Sequence, residues 1–92
     1  MSVPPEREFR DWLVKRLSRY LRRSEAEIDV RVPLSEYGLD SVASLSLFGD
    51  IEDAFGLYLE PTVAWDHPTV ESLARFLTEE SLLAQSVNGV LP

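Results

Sequence analysis

The chain has 92 residues, enough for one small domain near the lower limit for a self-sufficient core. Its 45% apolar share can supply that core, which argues against wholesale disorder. With no cysteine, disulfides, thiolate metal sites and a cysteine nucleophile are excluded.

Charge is unevenly placed. Residues 1–31 carry eight Lys or Arg against six Asp or Glu, a net of +2. Residues 32–92 carry Arg75 alone against ten acidic residues, a net of −9. Such an acidic surface disfavours nucleic acid and favours docking onto basic protein surfaces, although a merely solvated face has the same composition. His67 is the only histidine, so no metal site is expected. No apolar run reaches the roughly 20 residues that span a bilayer, and the N-terminus is too charged for a secretory signal. A soluble, cytoplasmic chain with no membrane partner is the expectation.

Pro4-Pro5 before Glu6 reads as a helix start, with proline near the first position and acid in the first turn. Phe9, Trp12, Leu13, Leu17, Tyr20 and Leu21 then recur at three- and four-residue spacing, which predicts a helix over about 5–22. Arg16, Arg19, Arg22 and Arg23 load its C-terminal half, where cations suit the macrodipole.

Residues 23–40 form a long connection. Ile28, Val30, Val32, Leu34, Tyr37 and Leu39 alternate roughly as in a strand, yet no second strand is available to pair with it. An ordered loop pinned by those side chains is the better reading. Connections this long are often functional. Gly38 would release the backbone for the turn that follows.

A second helix is predicted from Ser41 to about Phe55, with Leu45, Phe48, Ile51 and Phe55 as its buried stripe and Gly56 as its stop. Asp50 and Asp53 should lie away from that stripe, with Ala43 and Ser46 on the exposed surface nearer Ser41. Gly49 costs about 1 kcal/mol relative to Ala in mid-helix, but its missing side chain would let another surface approach.

Thr62-Val63-Ala64-Trp65-Asp66 is long enough for one or two helical turns, which His67-Pro68 must end. Thr69 then caps a last helix whose apolar side is Val70, Leu73, Ala74, Phe76 and Leu77, fraying between Thr78 and Leu83. The expected fold is all-α: a small bundle of three main helices and one short one, with a long first loop, over residues 5–83. Residues 84–92 are expected to be a flexible tail. Trp12, Trp65, Phe9, Phe48, Phe55 and Phe76 read as core.

Gly38-Leu39-Asp40-Ser41-Val42 sets one serine between an acidic and an apolar residue, where the loop gives way to a helix. There free backbone N–H groups and the positive end of the macrodipole favour a phosphate. Helix capping by Asp or Ser is the plainer explanation of the five residues alone.

Their setting favours chemistry. Tyr37 to Val42, followed by Pro61-Thr62-Val63-Ala64-Trp65-Asp66-His67-Pro68-Thr69, resembles the acyl carrier proteins, above all the carrier domains of polyketide synthases. The likeness covers roughly residues 6–80. It implies that Ser41 takes a covalent 4′-phosphopantetheine arm from coenzyme A, made into a phosphodiester by a separate phosphopantetheinyl transferase. The arm's thiol would carry acyl intermediates as thioesters, so the chain would itself be no enzyme. Asp40, Val42, Ala43, Ser46, Asp50 and Asp53 become candidate partner contacts. The implied partners are an acyl-loading enzyme (an acyltransferase or a fatty-acyl-AMP ligase), a polyketide synthase or its ketosynthase, and downstream acyl-processing enzymes, with the carrier a monomer.

Val42 stands where the family commonly has leucine, a change that could shift partner preference. Trp65 replaces the usual phenylalanine and His67 an aromatic residue. Similar Trp-Asp-His-Pro-Thr endings occur among carriers that work beside fatty-acyl-AMP ligases. The initiator-like Met1 suggests a discrete carrier of polyketide or related secondary-metabolite (antibiotic-type) biosynthesis. Two alternatives stay open. One is a peptidyl carrier loaded by an adenylating enzyme, whose usual Gly-Gly-Asp/His-Ser setting this chain does not match. The other is an unmodified helical adaptor, in which Ser41 is a cap or a phosphorylation site.

Overall fold

The structure is a computed structural model that describes residues 3–90. Four helices follow one another: α1 (Glu6–Leu21), α2 (Ser41–Phe55), α3 (Val63–Asp66) and α4 (Val70–Val90). Two short 3₁₀ turns, Glu25–Glu27 and Leu34–Tyr37, punctuate the first connection, and no strand occurs among the described residues. The expected all-α bundle with one short helix and a long first loop is therefore the observed architecture.

Each boundary has a local cause. Glu6 and Glu8 occupy the acidic first turn of α1, directly after Pro5. The helix ends at Arg22, which takes the left-handed conformation (φ 55, ψ 44) and returns its N–H to the Ser18 carbonyl. Gly38 and Gly56 close the second 3₁₀ turn and α2 at φ 85 and φ 70, a region that suits glycine. At the start of α4, Ser72 N–H donates to Thr69 Oγ1 at 3.1 Å while Thr69 N–H donates to Ser72 Oγ at 3.2 Å. That reciprocal pair is a serine version of the capping box.

The core is one cluster. Phe9, Leu13 and Leu17 of α1 meet Leu47, Phe48 and Ile51 of α2 and Val70, Leu73, Ala74 and Leu77 of α4. Ile28 and Leu34 from the first connection, Leu59 and Val63 complete it. Phe55 packs edge-on against Phe9 (ring centroids 4.8 Å apart) and Trp12 (5.1 Å), joining α1 to α2.

The first connection is held by more than its apolar residues. Leu34 N–H donates to the Pro68 carbonyl at 2.8 Å, and Glu71 N–H donates to the Val30 carbonyl at 2.9 Å. The second bond satisfies an N–H in the first turn of α4 that has no partner within the helix. Tyr37 accepts the Asp29 N–H at 2.7 Å, and Arg31 pairs with Glu71 at 3.1 Å. The loop thus spans from α1 to the α3–α4 corner and delivers Ser41 to a fixed place.

Three expectations need correction. Leu45 is 55% exposed, and Leu47 takes its place in the core, because the buried face of α2 is centred on Leu47, Phe48 and Ile51. Trp65 is 86% exposed. The single turn of α3 turns one side inward and Val63 occupies it, leaving the indole outside. Finally, α4 does not stop between Thr78 and Leu83 but stays helical to Val90, with Leu82 and Leu83 exposed. Residues 84–90 of the expected tail are thus helix, while residues 91–92 lie outside the described part.

Candidate functional site

Ser41 is the first residue of α2, and its position follows from Asp40. The Asp40 backbone is extended (φ −88, ψ 180), its Oδ1 accepts the Ala43 N–H at 2.8 Å, and its carbonyl accepts the Ser44 N–H at 2.9 Å. Asp40 is therefore the N-cap. Ser41 is released from that duty: it is exposed, and among the described residues its hydroxyl makes no hydrogen bond. The N–H groups of Ser41 and Val42 likewise meet no acceptor among the described residues. One free hydroxyl thus stands beside two free donors at the positive end of a 15-residue helix. A phosphodiester on Ser41 Oγ would meet those donors, so the residues present fit a phosphate-linked group.

A groove of about 550 Å³ opens beside Ser41. Ser41, Ser44, Leu45 and Phe48 of α2 form one wall. Pro61, Thr62, Ala64, Trp65 and Pro68 form the opposite one, with Leu34, Ser35, Leu39 and Asp40 between them. Asp40 is the sole charged residue in the lining.

The other candidate contacts spread around α2. Val42 is 72% exposed, Ser46 and Asp53 are exposed, and Ala43 is half-buried. Asp50 points back toward α1. Tyr20 donates its hydroxyl hydrogen to Asp50 Oδ2 at 2.5 Å, and Arg16 Nη1 lies 3.7 Å from the same oxygen. That hydrogen bond, reinforced by burial and by the carboxylate's charge, raises the Tyr20 phenol above its ordinary value of 10.0. Asp50 is thus engaged within the chain, whereas Asp53 has no such partner among the described residues. Sequence reasoning missed this because Tyr20 reads as part of the apolar face of α1, 30 residues away. It also assigned Trp65 and Leu45 to the core, though both line the groove. Among the described residues no group of three or more acidic or histidine side chains could hold a metal ion. No helix there is long and apolar enough to cross a membrane.

A short helical bundle that presents an exposed serine with a free hydroxyl at the start of α2 fits a carrier-type domain, and comparison with known proteins specifies which. Residues 11–77 match the model of the phosphopantetheine attachment site, and the chain belongs to that family, which binds a covalent phosphopantetheine group. It is 36% identical over 84 residues to 6-methylsalicylic acid synthase of Aspergillus terreus, covering 86% of this chain but 4% of that protein. Its fold is similar to a free-standing peptidyl carrier protein of Acinetobacter baumannii, with a TM-score of 0.78 and 36% identity over 82% of this chain and 94% of the other. It is also similar to the acyl carrier protein LipD of Actinoplanes friuliensis, at TM-score 0.72 and 40% identity over 85% of this chain and 87% of that one.

Proposed function

We propose that the chain is an acyl carrier of polyketide or related secondary-metabolite biosynthesis, with Ser41 as the attachment point of its 4′-phosphopantetheine arm. The observation that carries this reading is the division of labour between neighbours: Asp40 caps α2 and Ser41 keeps a free, exposed hydroxyl. Attachment forms a bond from Ser41 Oγ to the phosphorus of the phosphopantetheine unit of coenzyme A. The phosphoanhydride bond breaks, adenosine 3′,5′-bisphosphate leaves, and the serine proton passes to a base supplied by the transferase. When bound, the group supplies a thiol that holds acyl cargo as a thioester.

The chain's own residues then position and present. The N–H groups of Ser41 and Val42 would be the donors available to the phosphate, and Val42 and Ser46 offer an exposed surface near the attachment point. Asp40 and Asp53 give that surface negative charge, which suits basic docking sites on a transferase, an acyltransferase or acyl ligase, and a ketosynthase. Asp50 contributes through its tie to α1. No step requires a catalytic group on this chain, which accords with a carrier, working in the cytoplasm, that is not an enzyme.

A second reading, a peptidyl carrier, draws on the likeness to the Acinetobacter protein. The two readings share Ser41 and differ in cargo. Incubation with coenzyme A, Mg²⁺ and a promiscuous phosphopantetheinyl transferase, followed by intact mass, tests the shared part. A single phosphopantetheine adduct on the wild type and none on Ser41→Ala is expected. No adduct on the folded wild type with several transferases would favour an unmodified adaptor. Subsequent loading by an acyl ligase or acyltransferase supports the acyl reading, and loading only by an amino-acid adenylating enzyme supports the peptidyl one.

A further inference from the structure

The C-terminal half of α1 carries charge that the rest of the chain leaves unanswered. Five cations and no acidic residue stand between Lys15 and Arg23, although the chain has 16 Asp or Glu in all. Arg16 reaches Asp50 at 3.7 Å, and Arg23 reaches Glu27 at 3.8 Å. Lys15, Arg19 and Arg22 are exposed and form no ion pair among the described residues. Their spacing of four and three residues sets them on one face of the helix. Like charges at that spacing repel, and the macrodipole favours cations only in the last turn, which Lys15 and Arg16 precede. Helix stability therefore does not account for the stripe.

A cleft of about 210 Å³ lies within it, lined by Trp12, Lys15, Arg16 and Arg19. The Arg16 guanidinium sits 4.9 Å from the centroid of the Trp12 ring, and Phe55 meets the same ring edge-on at 5.1 Å. The indole and Asp50 together hold Arg16 in place. The cleft is smaller than the roughly 300–1,000 Å³ of typical small-molecule sites, but it admits a single apolar side chain. It shares no lining residue with the groove beside Ser41.

Charge and length narrow the partner. The stripe from Trp12 to Arg22 is about 15 Å long. Beyond it the net −9 of residues 32–92 repels an extended polyanion such as a nucleic acid or an anionic membrane. A helix fits better, because carboxylates three and four residues apart on it recur with the same period as Lys15, Arg19 and Arg22. We propose that this stripe is a second docking surface, built for an acidic helix of a partner protein. Lys15, Arg19 and Arg22 pair with its carboxylates, and the cleft beside Trp12 takes one apolar side chain from among them. Partners of opposite charge then meet different faces of the chain, basic ones near Ser41 and acidic ones on α1. This surface does not depend on what Ser41 carries.

The test is an NMR titration of the full, isotope-labelled chain with a synthetic helix of about 18 residues, made of alanine and glutamate with one central leucine. It is run in about 0.05 M and about 0.5 M NaCl. The Trp12 indole N–H and the amides of residues 12–23 should shift, with the Trp65 indole unmoved. Affinity should fall about tenfold or more at the higher salt. The same peptide with glutamine in place of glutamate should leave the spectrum unchanged. Combining Lys15→Glu with Arg19→Glu should weaken binding about tenfold or more, with circular dichroism confirming the fold. Lys15→Gln with Arg19→Gln, which keeps good helix formers, should weaken it in the same direction if the charge reversal unfolds the chain. An equal response to the glutamine peptide, shifts centred outside residues 12–23, or unchanged affinity in folded variants would overturn the proposal. Tighter binding of a short DNA duplex, or of vesicles of equal parts phosphatidylcholine and phosphatidylglycerol, would overturn the assignment to a protein helix. No response to the glutamate peptide at the lower salt would also overturn it and leave α1 a solvated basic face.

Discussion

Asp40 Oδ1 accepts the Ala43 N–H at 2.8 Å, and this bond decides what the next residue can do. A serine that caps a helix spends its hydroxyl on the backbone, whereas Ser41, one position inside the cap, does not. Replacing Asp40 by Ala should cost about 1 kcal/mol of stability. Asp40→Asn, which keeps a capping oxygen, should retain most of it. Urea denaturation of the two variants checks the difference, and equal losses would remove the cap from the account.

The hydrogen bond from Tyr20 to Asp50 makes stability fall in alkali. The folded-state phenol titrates above its ordinary value of 10.0, so between that value and the raised one the folded form holds a proton that the unfolded form has lost. The contribution is whole below about pH 10 and is lost as pH rises through the folded value. Tyr20→Phe should flatten this part of the pH–stability curve relative to wild type. Thermal melts from pH 8 to 11 read it directly.

Two helix positions are open to stabilisation. An added Cβ at Gly49 meets no atom within 4 Å, so Gly49→Ala should gain about 1 kcal/mol. The close approach that glycine permits is not used among the described residues, so slower loading of this variant would place a partner there. Arg22 holds φ 55, where a side chain is disfavoured by about 1–2 kcal/mol and glycine is not. Arg22→Gly should therefore gain up to about 1 kcal/mol after the entropy of glycine is set against it.

Phe9 is fully buried and stacks edge-on with Phe55 at the meeting of α1 and α2. Phe9→Ala should lose about 3–5 kcal/mol, a large share of what a domain this small possesses. Trp65→Ala, removing a ring that is already in water, should change stability by less than about 0.5 kcal/mol. Calorimetry of the pair separates a core aromatic from a surface one.

Periodicity made the helices legible where a face is sustained over several turns. The three- and four-residue spacing from Phe9 to Leu21 predicts α1 within a residue at each end, and Ser41 to Phe55 coincides with α2. The proline after His67 likewise stops α3 where the backbone rule requires. Short or marginal elements were less readable. One turn of α3 has no periodicity to say which of Val63 and Trp65 faces inward, and only the assembled core decides. On α2, Leu45 and Leu47 both fit an apolar stripe, and only the assembled core shows that Leu47 is the buried one. The pairing of Tyr20 with Asp50 links residues on separate helices, and no local signal announces it. The Gly38 to Val42 motif, by contrast, marks the turn and the start of α2 from sequence alone.

The central claim, that Ser41 holds the arm, is tested most directly by fragmentation mass spectrometry of the transferase-modified chain, with the adduct localised to a residue. The account predicts the phosphopantetheine group on Ser41 and unmodified Ser35, Ser44 and Ser46. An adduct on any of those three, or one that persists in Ser41→Ala, would contradict it.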